Sequence, residues 1–83
     1  MANQRDTVVY ELEKGNEVVY IGTTNNPERR EQQHRQEGKQ FDFIKIISLP
    51  MTEEGAKRIE AERLATYRSN QGRNPKYNKD HDG

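Results

Sequence analysis

The stretch Thr7-Val8-Val9-Tyr10-Glu11-Leu12-Glu13, Lys14-Gly15-Asn16, Glu17-Val18-Val19-Tyr20-Ile21-Gly22 decides how this chain folds. Both arms are rich in β-branched and aromatic side chains, which fit a pleated surface, and the residues between them have turn chemistry. The pattern predicts a β-hairpin with strands over 7–13 and 17–22.

Immediately after the hairpin, Asn25-Asn26-Pro27-Glu28 reads as a helix start. Asparagine caps, proline suits the first helical position, and a carboxylate favours the positive end of the helix dipole. The helix is expected over 27–37, with Gly38 ending it. Its sequence, Glu28-Arg29-Arg30-Glu31-Gln32-Gln33-His34-Arg35-Gln36-Glu37, has almost no apolar stripe. Packing alone does not account for such a helix, so one face is expected to serve another purpose.

Residues 41–49, Phe41 to Leu49, are aromatic and β-branched around a single lysine and predict a third, largely buried strand closed by Pro50. Thr52-Glu53-Glu54 then supplies a second cap-and-acid start, and Ala56, Ile59, Leu64 and Tyr67 recur on one face of an amphipathic helix. From Asn70 the chain turns polar, Asn74-Pro75 marks a turn, Tyr77 is the last anchoring residue, and the final residues are expected to fray. The expected fold is therefore a small α/β (α+β) domain, a three-stranded mostly antiparallel sheet flanked by helices, with a core over about 7–80.

Composition limits what such a domain can be. The chain has 83 residues, 29% hydrophobic and 34% charged, with no tryptophan, so a single thin core is expected and a ligand or a second copy would add stability. The apolar residues are nevertheless grouped into short runs rather than scattered as in a disordered chain. Without cysteine there is neither a disulfide framework nor a thiolate metal site. No stretch is long and apolar enough to span a membrane, and the N-terminus lacks a signal-peptide core, so a cytoplasmic protein without membrane contact is expected. Fourteen basic residues balance fourteen acidic ones. Any nucleic-acid affinity must therefore come from local clusters, such as Arg29, Arg30, His34 and Arg35, or Lys57, Arg58, Arg63, Arg68, Arg73, Lys76 and Lys79 towards the C-terminus.

The order strand, strand, helix, strand, helix carries Val8-Val9-Tyr10 and then Tyr20-Ile21-Gly22, with Arg30 ten residues after Tyr20 and His34 one helical turn further. Glu60 or Glu62 on the second helix and Tyr77-Asn78 near the end complete a set that resembles the GIY-YIG nuclease family over about residues 7–80. The first triplet departs from the family's pattern, because Val8 stands where the family has glycine; the tyrosine is kept. Tyrosine triplets alone are weak signals, since Tyr10 and Tyr20 also fit as strand aromatics in a small core. The weight lies in the combined spacing.

The resemblance implies a metal-dependent endonuclease acting on DNA through one Mg²⁺ or Mn²⁺ ion. In that scheme Tyr20 is the general base on the attacking water and Tyr10 assists or positions it. A phenol acts as a base near neutrality only when cationic charge lowers its pKa from about 10. Arg30 clamps the scissile phosphate through its fixed guanidinium fork, with Arg29 as the neighbouring alternative. His34 shares the Arg30 face and would touch phosphate or relay a proton. Gly22, Arg29 and Asn78 fall among the implied substrate-binding positions; Asn78 would alternatively hold the C-terminal segment against the site or hydrogen-bond near Tyr10. A hard carboxylate ligand suits Mg²⁺, which keeps most of its coordination for water and phosphate, so Glu60 or Glu62 suffices to hold it. Helical periodicity favours Glu60, facing the core, and the local Ala61-Glu62-Arg63 run favours Glu62. A domain this small has little surface for reading sequence, so a partner domain or a homodimer is an expected companion. The rival from another class is a non-catalytic nucleic-acid-binding or protein-interaction module that kept the fold.

Overall fold

In the computed structural model, which describes residues 5–78, two strands lead into a helix, a third short strand and a long helix: β1 (Val8–Lys14), β2 (Glu17–Thr24), α1 (Pro27–Gln36), β3 (Phe43–Ile46) and α2 (Glu53–Gln71). Lys79 and the expected frayed end lie outside the described residues. The sheet has the order β2-β1-β3 with both pairings antiparallel, so β1 is its centre. The hairpin pairs Tyr10 with Gly22 and Leu12 with Tyr20, then shifts register between Leu12 and Glu13. Because side chains alternate across a strand, Tyr10, Leu12, Tyr20 and Gly22 share one face and Val9, Glu11 and Ile21 the other.

The two faces carry different cores. On the first, Tyr10, Leu12, Val19 and Phe41 are buried, with Tyr20, Ile44 and Tyr77 packed around them. On the second, Val9, Ile21 and Ala56 are buried against Ile59, Leu64 and Tyr67 of α2, the residues whose spacing predicted an amphipathic helix. Thr52 caps α2, its hydroxyl accepting from the Gly55 amide at 3.1 Å. A half-buried ion pair, Arg63 to the buried Glu11 at 2.6 Å, fixes α2 against the central strand.

The third strand differs from expectation. It covers four residues instead of nine and lies at the edge of the sheet, with Phe43, Ile46 and Leu49 exposed, the last by 80%. Phe41, read as strand, enters the core from the preceding loop under the stacked Arg35 guanidinium, 4.1 Å from its ring. Beyond Ile46 the pairing with β1 becomes irregular. The Ser48 hydroxyl accepts from the Val9 amide at 2.9 Å, and Thr7 bridges Met51.

Candidate active site

The polar face of α1 turns towards the tyrosines. Asn26 caps the helix through its side chain, which accepts from the Arg29 amide, and Pro27 occupies its first turn. The buried residue of α1 is a histidine rather than an aliphatic: His34 is 1% exposed, its ring 4.8 Å from that of Tyr20 and 5.8 Å from that of Tyr10. At the end of α1, Gly38 adopts a positive φ of 89°, which lets the Lys39 amide return to the His34 carbonyl at 3.2 Å. That reversal places the Lys39 ammonium 5.6 Å from the Tyr20 ring centre.

A short chain of polar contacts links these residues. The Tyr10 hydroxyl is 2.7 Å from His34 Nε2, and Arg30 Nε donates to the same hydroxyl at 3.4 Å. Since the arginine N–H occupies a lone pair of the Tyr10 oxygen, the phenolic proton is free to point at His34, which makes Nε2 the acceptor and puts the ring's own proton on Nδ1. Nδ1 is a buried atom without a hydrogen-bond partner, and the nearest carboxylate, Glu37, is 3.8 Å away and bound to Lys39 at 2.6 Å. A negative group there agrees with the Nδ1–H form.

The electrostatics follow from burial and charge. Burial, with the positive charges of Lys39 and Arg30, lowers the His34 pKa to about 4, so the ring is neutral at pH 7. Burial raises the Tyr10 phenol well above its ordinary value, reinforced by Tyr20 and opposed by Arg30, so Tyr10 stays protonated as a donor. Burial works against the Arg30 charge, but its interactions with Tyr10 and Tyr20 outweigh that and hold the guanidinium firmly charged. Arg30 is additionally oriented by Gln33, to which Nη1 donates at 2.9 Å.

The two carboxylates are not equivalent. Glu62 is exposed, whereas Glu60 is partly buried; burial raises its carboxyl above the usual range against the opposing charge of Lys57. Its charge also reaches Tyr10, raising that phenol further. Among the described residues no group of three or more His, Cys, Asp or Glu side chains forms a ready metal cage. A single partly desolvated carboxylate does fit a hard divalent ion that keeps water and phosphate as its other ligands.

Gly22 and Asn78 shape the site from beneath. A Cβ on Gly22 would lie 2.7 Å from Tyr20 Cε2 and 2.9 Å from the Tyr10 hydroxyl, so only glycine lets both rings lie over the strand. Asn78 is buried, with Oδ1 accepting from the Ile21 amide at 2.8 Å and Nδ2 donating to the Ile21 carbonyl at 3.0 Å. Expected among the substrate-binding residues, Asn78 has both ends of its amide engaged with β2, and it holds the C-terminal segment, the other role foreseen for it. Tyr77 acts alongside, its amide bound to Val19 and its hydroxyl accepting from Gln40.

Tyr10, Tyr20, Arg30 and His34 thus form one cluster, Glu60 lies within its electrostatic reach, and Arg29 is exposed on the neighbouring flank of α1. Sequence reasoning missed Glu37 and Lys39 beside His34, which no spacing rule marks because they approach through the turn at Gly38. It placed Lys57 in a basic cluster but not at the site; the i,i+3 spacing to Glu60 was the available signal.

The hairpin thus carries two neighbouring tyrosines, α1 an arginine and a histidine one turn apart, and the long second helix a partly buried carboxylate. The chain matches the model of the GIY-YIG catalytic domain over residues 7–78 and belongs to that family, a family of endonucleases. Searches of curated proteins and of solved structures returned no match. No helix among the described residues is long and apolar enough to cross a membrane.

Proposed function

We propose that this chain is an endonuclease that hydrolyses phosphodiester bonds in DNA with one divalent cation, Mg²⁺ or Mn²⁺, held by Glu60. The observation that carries the reading is a charged arginine donating to the Tyr10 hydroxyl, with Tyr20 alongside and a neutral buried histidine on the same hydroxyl. Such a cluster has little structural rationale in so small a core, where apolar residues in these places would avoid the desolvation cost.

Arg30 binds the scissile phosphate and neutralises charge growing on its oxygens. Tyr20, the more exposed of the two tyrosines, gives up its own proton to solvent and, as the phenolate, takes the proton of the attacking water. Tyr10 stays protonated, fixed between Arg30 and His34, and orients both Arg30 and the neighbouring Tyr20 ring. His34 accepts the Tyr10 hydrogen bond and, as a neutral ring, keeps that hydroxyl in place. The cation, when bound, supplies Lewis-acid polarisation of the phosphate and stabilises the departing oxygen. Glu60 is preferred to Glu62 as its ligand because partial burial raises its carboxyl pKa, and a bound cation would offset that cost.

Weak, non-specific binding by the domain alone is part of the proposal, with a partner domain or a second copy supplying sequence choice or the second cut of a duplex. The test is nicking of supercoiled and branched DNA with Mg²⁺, Mn²⁺ or EDTA, by wild type and a folded Arg30→Ala variant. Metal-dependent nicking lost with Arg30 is expected. Metal-indifferent binding without cleavage on either substrate would favour the non-catalytic module instead.

A further inference from the structure

Beside Arg30 lies an open cavity of about 620 Å³ between the end of β2, the start of α1 and the first turns of α2. That is within the range of pockets that hold small ligands or single groups of larger ones. Its wall carries Arg29, Arg30 and Lys57 together with the hydroxyls of Thr23 and Thr24 and the side-chain amide of Asn25. Two carboxylates also line it, but each has local work. Asp6 accepts from the Thr7 hydroxyl at 3.3 Å, and Glu53 sits in the first turn of α2, where negative charge stabilises the helix.

Arg29 and Lys57 stand apart because they converge on one cavity; described cations such as Arg58, likewise without a close carboxylate, lie outside it. Arg35, Lys39, Arg63 and Arg73 each pair with a carboxylate. Arg30 is engaged by Tyr10 and Gln33. The side chains of Arg29 and Lys57 make no hydrogen bond or close ion pair with the described residues, although both face the cavity. They come from different elements, α1 and α2, so their convergence is a product of the tertiary fold rather than of one helix face.

We propose that this cavity is a second phosphate site, which takes the phosphodiester group next to the one held by Arg30, with Arg29 and Lys57 as its cationic ligands and Thr23, Thr24 and Asn25 as neutral donors. It rests on the nuclease reading only for which phosphate is the scissile one. Lys57 is then a substrate-binding residue that draws the strand from Arg30 towards Glu60, one turn further along α2.

The test is binding of a short fluorescent DNA duplex to the full chain in EDTA, where nothing turns over, followed by anisotropy between about 50 and 200 mM salt. Arg29→Ala and Lys57→Ala are each expected to weaken binding about three- to tenfold and to reduce the salt slope by about one, while Lys57→Arg keeps both. Arg58→Ala removes an equal charge from the adjacent exposed position outside the cavity and is the control. All three positions tested are surface side chains, and circular dichroism confirms the fold of each variant. Unchanged slopes for Arg29→Ala and Lys57→Ala, or an equal change for Arg58→Ala, would overturn the proposal. If the slopes change as expected and wild type cleaves nothing with metal, the second phosphate site stands and the nuclease reading fails. If wild type cleaves and the slopes do not change, only the second site fails.

Discussion

Gly22 is the residue where sequence and site constrain each other most tightly. A methyl group there would meet two aromatic rings at less than van der Waals distance, one of them the buried Tyr10. Gly22→Ala is expected to destabilise the domain by about 1–3 kcal/mol through overpacking, read as a lower urea midpoint, and to displace the tyrosines from Arg30. A midpoint equal to wild type would mean that the rings are not packed over the strand. His34 offers a pH test. With a folded pKa of about 4, below the ordinary value near 6.5, the native state binds fewer protons than the unfolded chain between those values. Stability conferred by a neutral His34 is therefore complete above about pH 6.5 and falls as pH drops towards 4, by an amount on the order of 3 kcal/mol. Wild type should show this loss relative to His34→Gln, which carries no titrating ring, and the imidazole signals should titrate near pH 4. A His34 ring, assigned by its loss in His34→Gln, that titrates near 6.5 would contradict the buried Tyr10 contact. At this scale the sequence marked the types and spacing of Tyr20, Arg30 and His34, but not which of Glu60 and Glu62 is desolvated. Helical periodicity pointed to Glu60 and the local Ala61-Glu62-Arg63 run to Glu62, and the packing of α2 on the sheet leaves Glu60 partly buried and Glu62 exposed.

The elements show where local rules suffice. Caps and breakers marked both helices: Asn26 and Thr52 cap them, Pro27 starts the first, and the positive φ of Gly38 returns the chain at its end. The absence of an apolar stripe in α1 was also meaningful, because His34 and Arg30 make its inward face. What could not be read was β3. Phe41, Phe43, Ile44, Ile46 and Ile47 look alike in a propensity window, yet the loop residue Phe41 is buried while Phe43 and Ile46 are exposed at the edge of the sheet. The clamp of Asn78 on Ile21 was equally invisible in detail, since the partners are 57 residues apart. It completes the free side of β2 much as another strand would, satisfying a backbone donor and acceptor that burial would otherwise leave unpaired. Asn78→Ala is expected to cost about 2–3 kcal/mol in chemical denaturation and to raise hydrogen exchange at Ile21. A protected Ile21 amide in that variant would show that something else holds the strand.

For the whole molecule, the thin core has a functional counterpart. Two small apolar clusters lie on opposite faces of a three-stranded sheet, and α1 is fastened to it largely by polar side chains of the site. Net charge is zero, so affinity for nucleic acid must come from where the cations stand rather than from how many there are. A bound cation and strand should raise the melting temperature appreciably through linkage. With Mg²⁺, that gain should be smaller in Glu60→Ala than in Glu62→Ala. The reverse order would assign the metal to Glu62. Joint action of Tyr20 and Arg30 on a phosphodiester is the step proposed for this site. Its most direct test is the single-turnover cleavage rate of a labelled DNA duplex by wild type and Tyr20→Phe at saturating protein with Mn²⁺ or Mg²⁺. Removing one hydroxyl from a general base should lower the rate by about 10²–10⁴ with DNA binding retained. A Tyr20→Phe rate within about twofold of wild type would contradict the account, because a base worth less than that is no base.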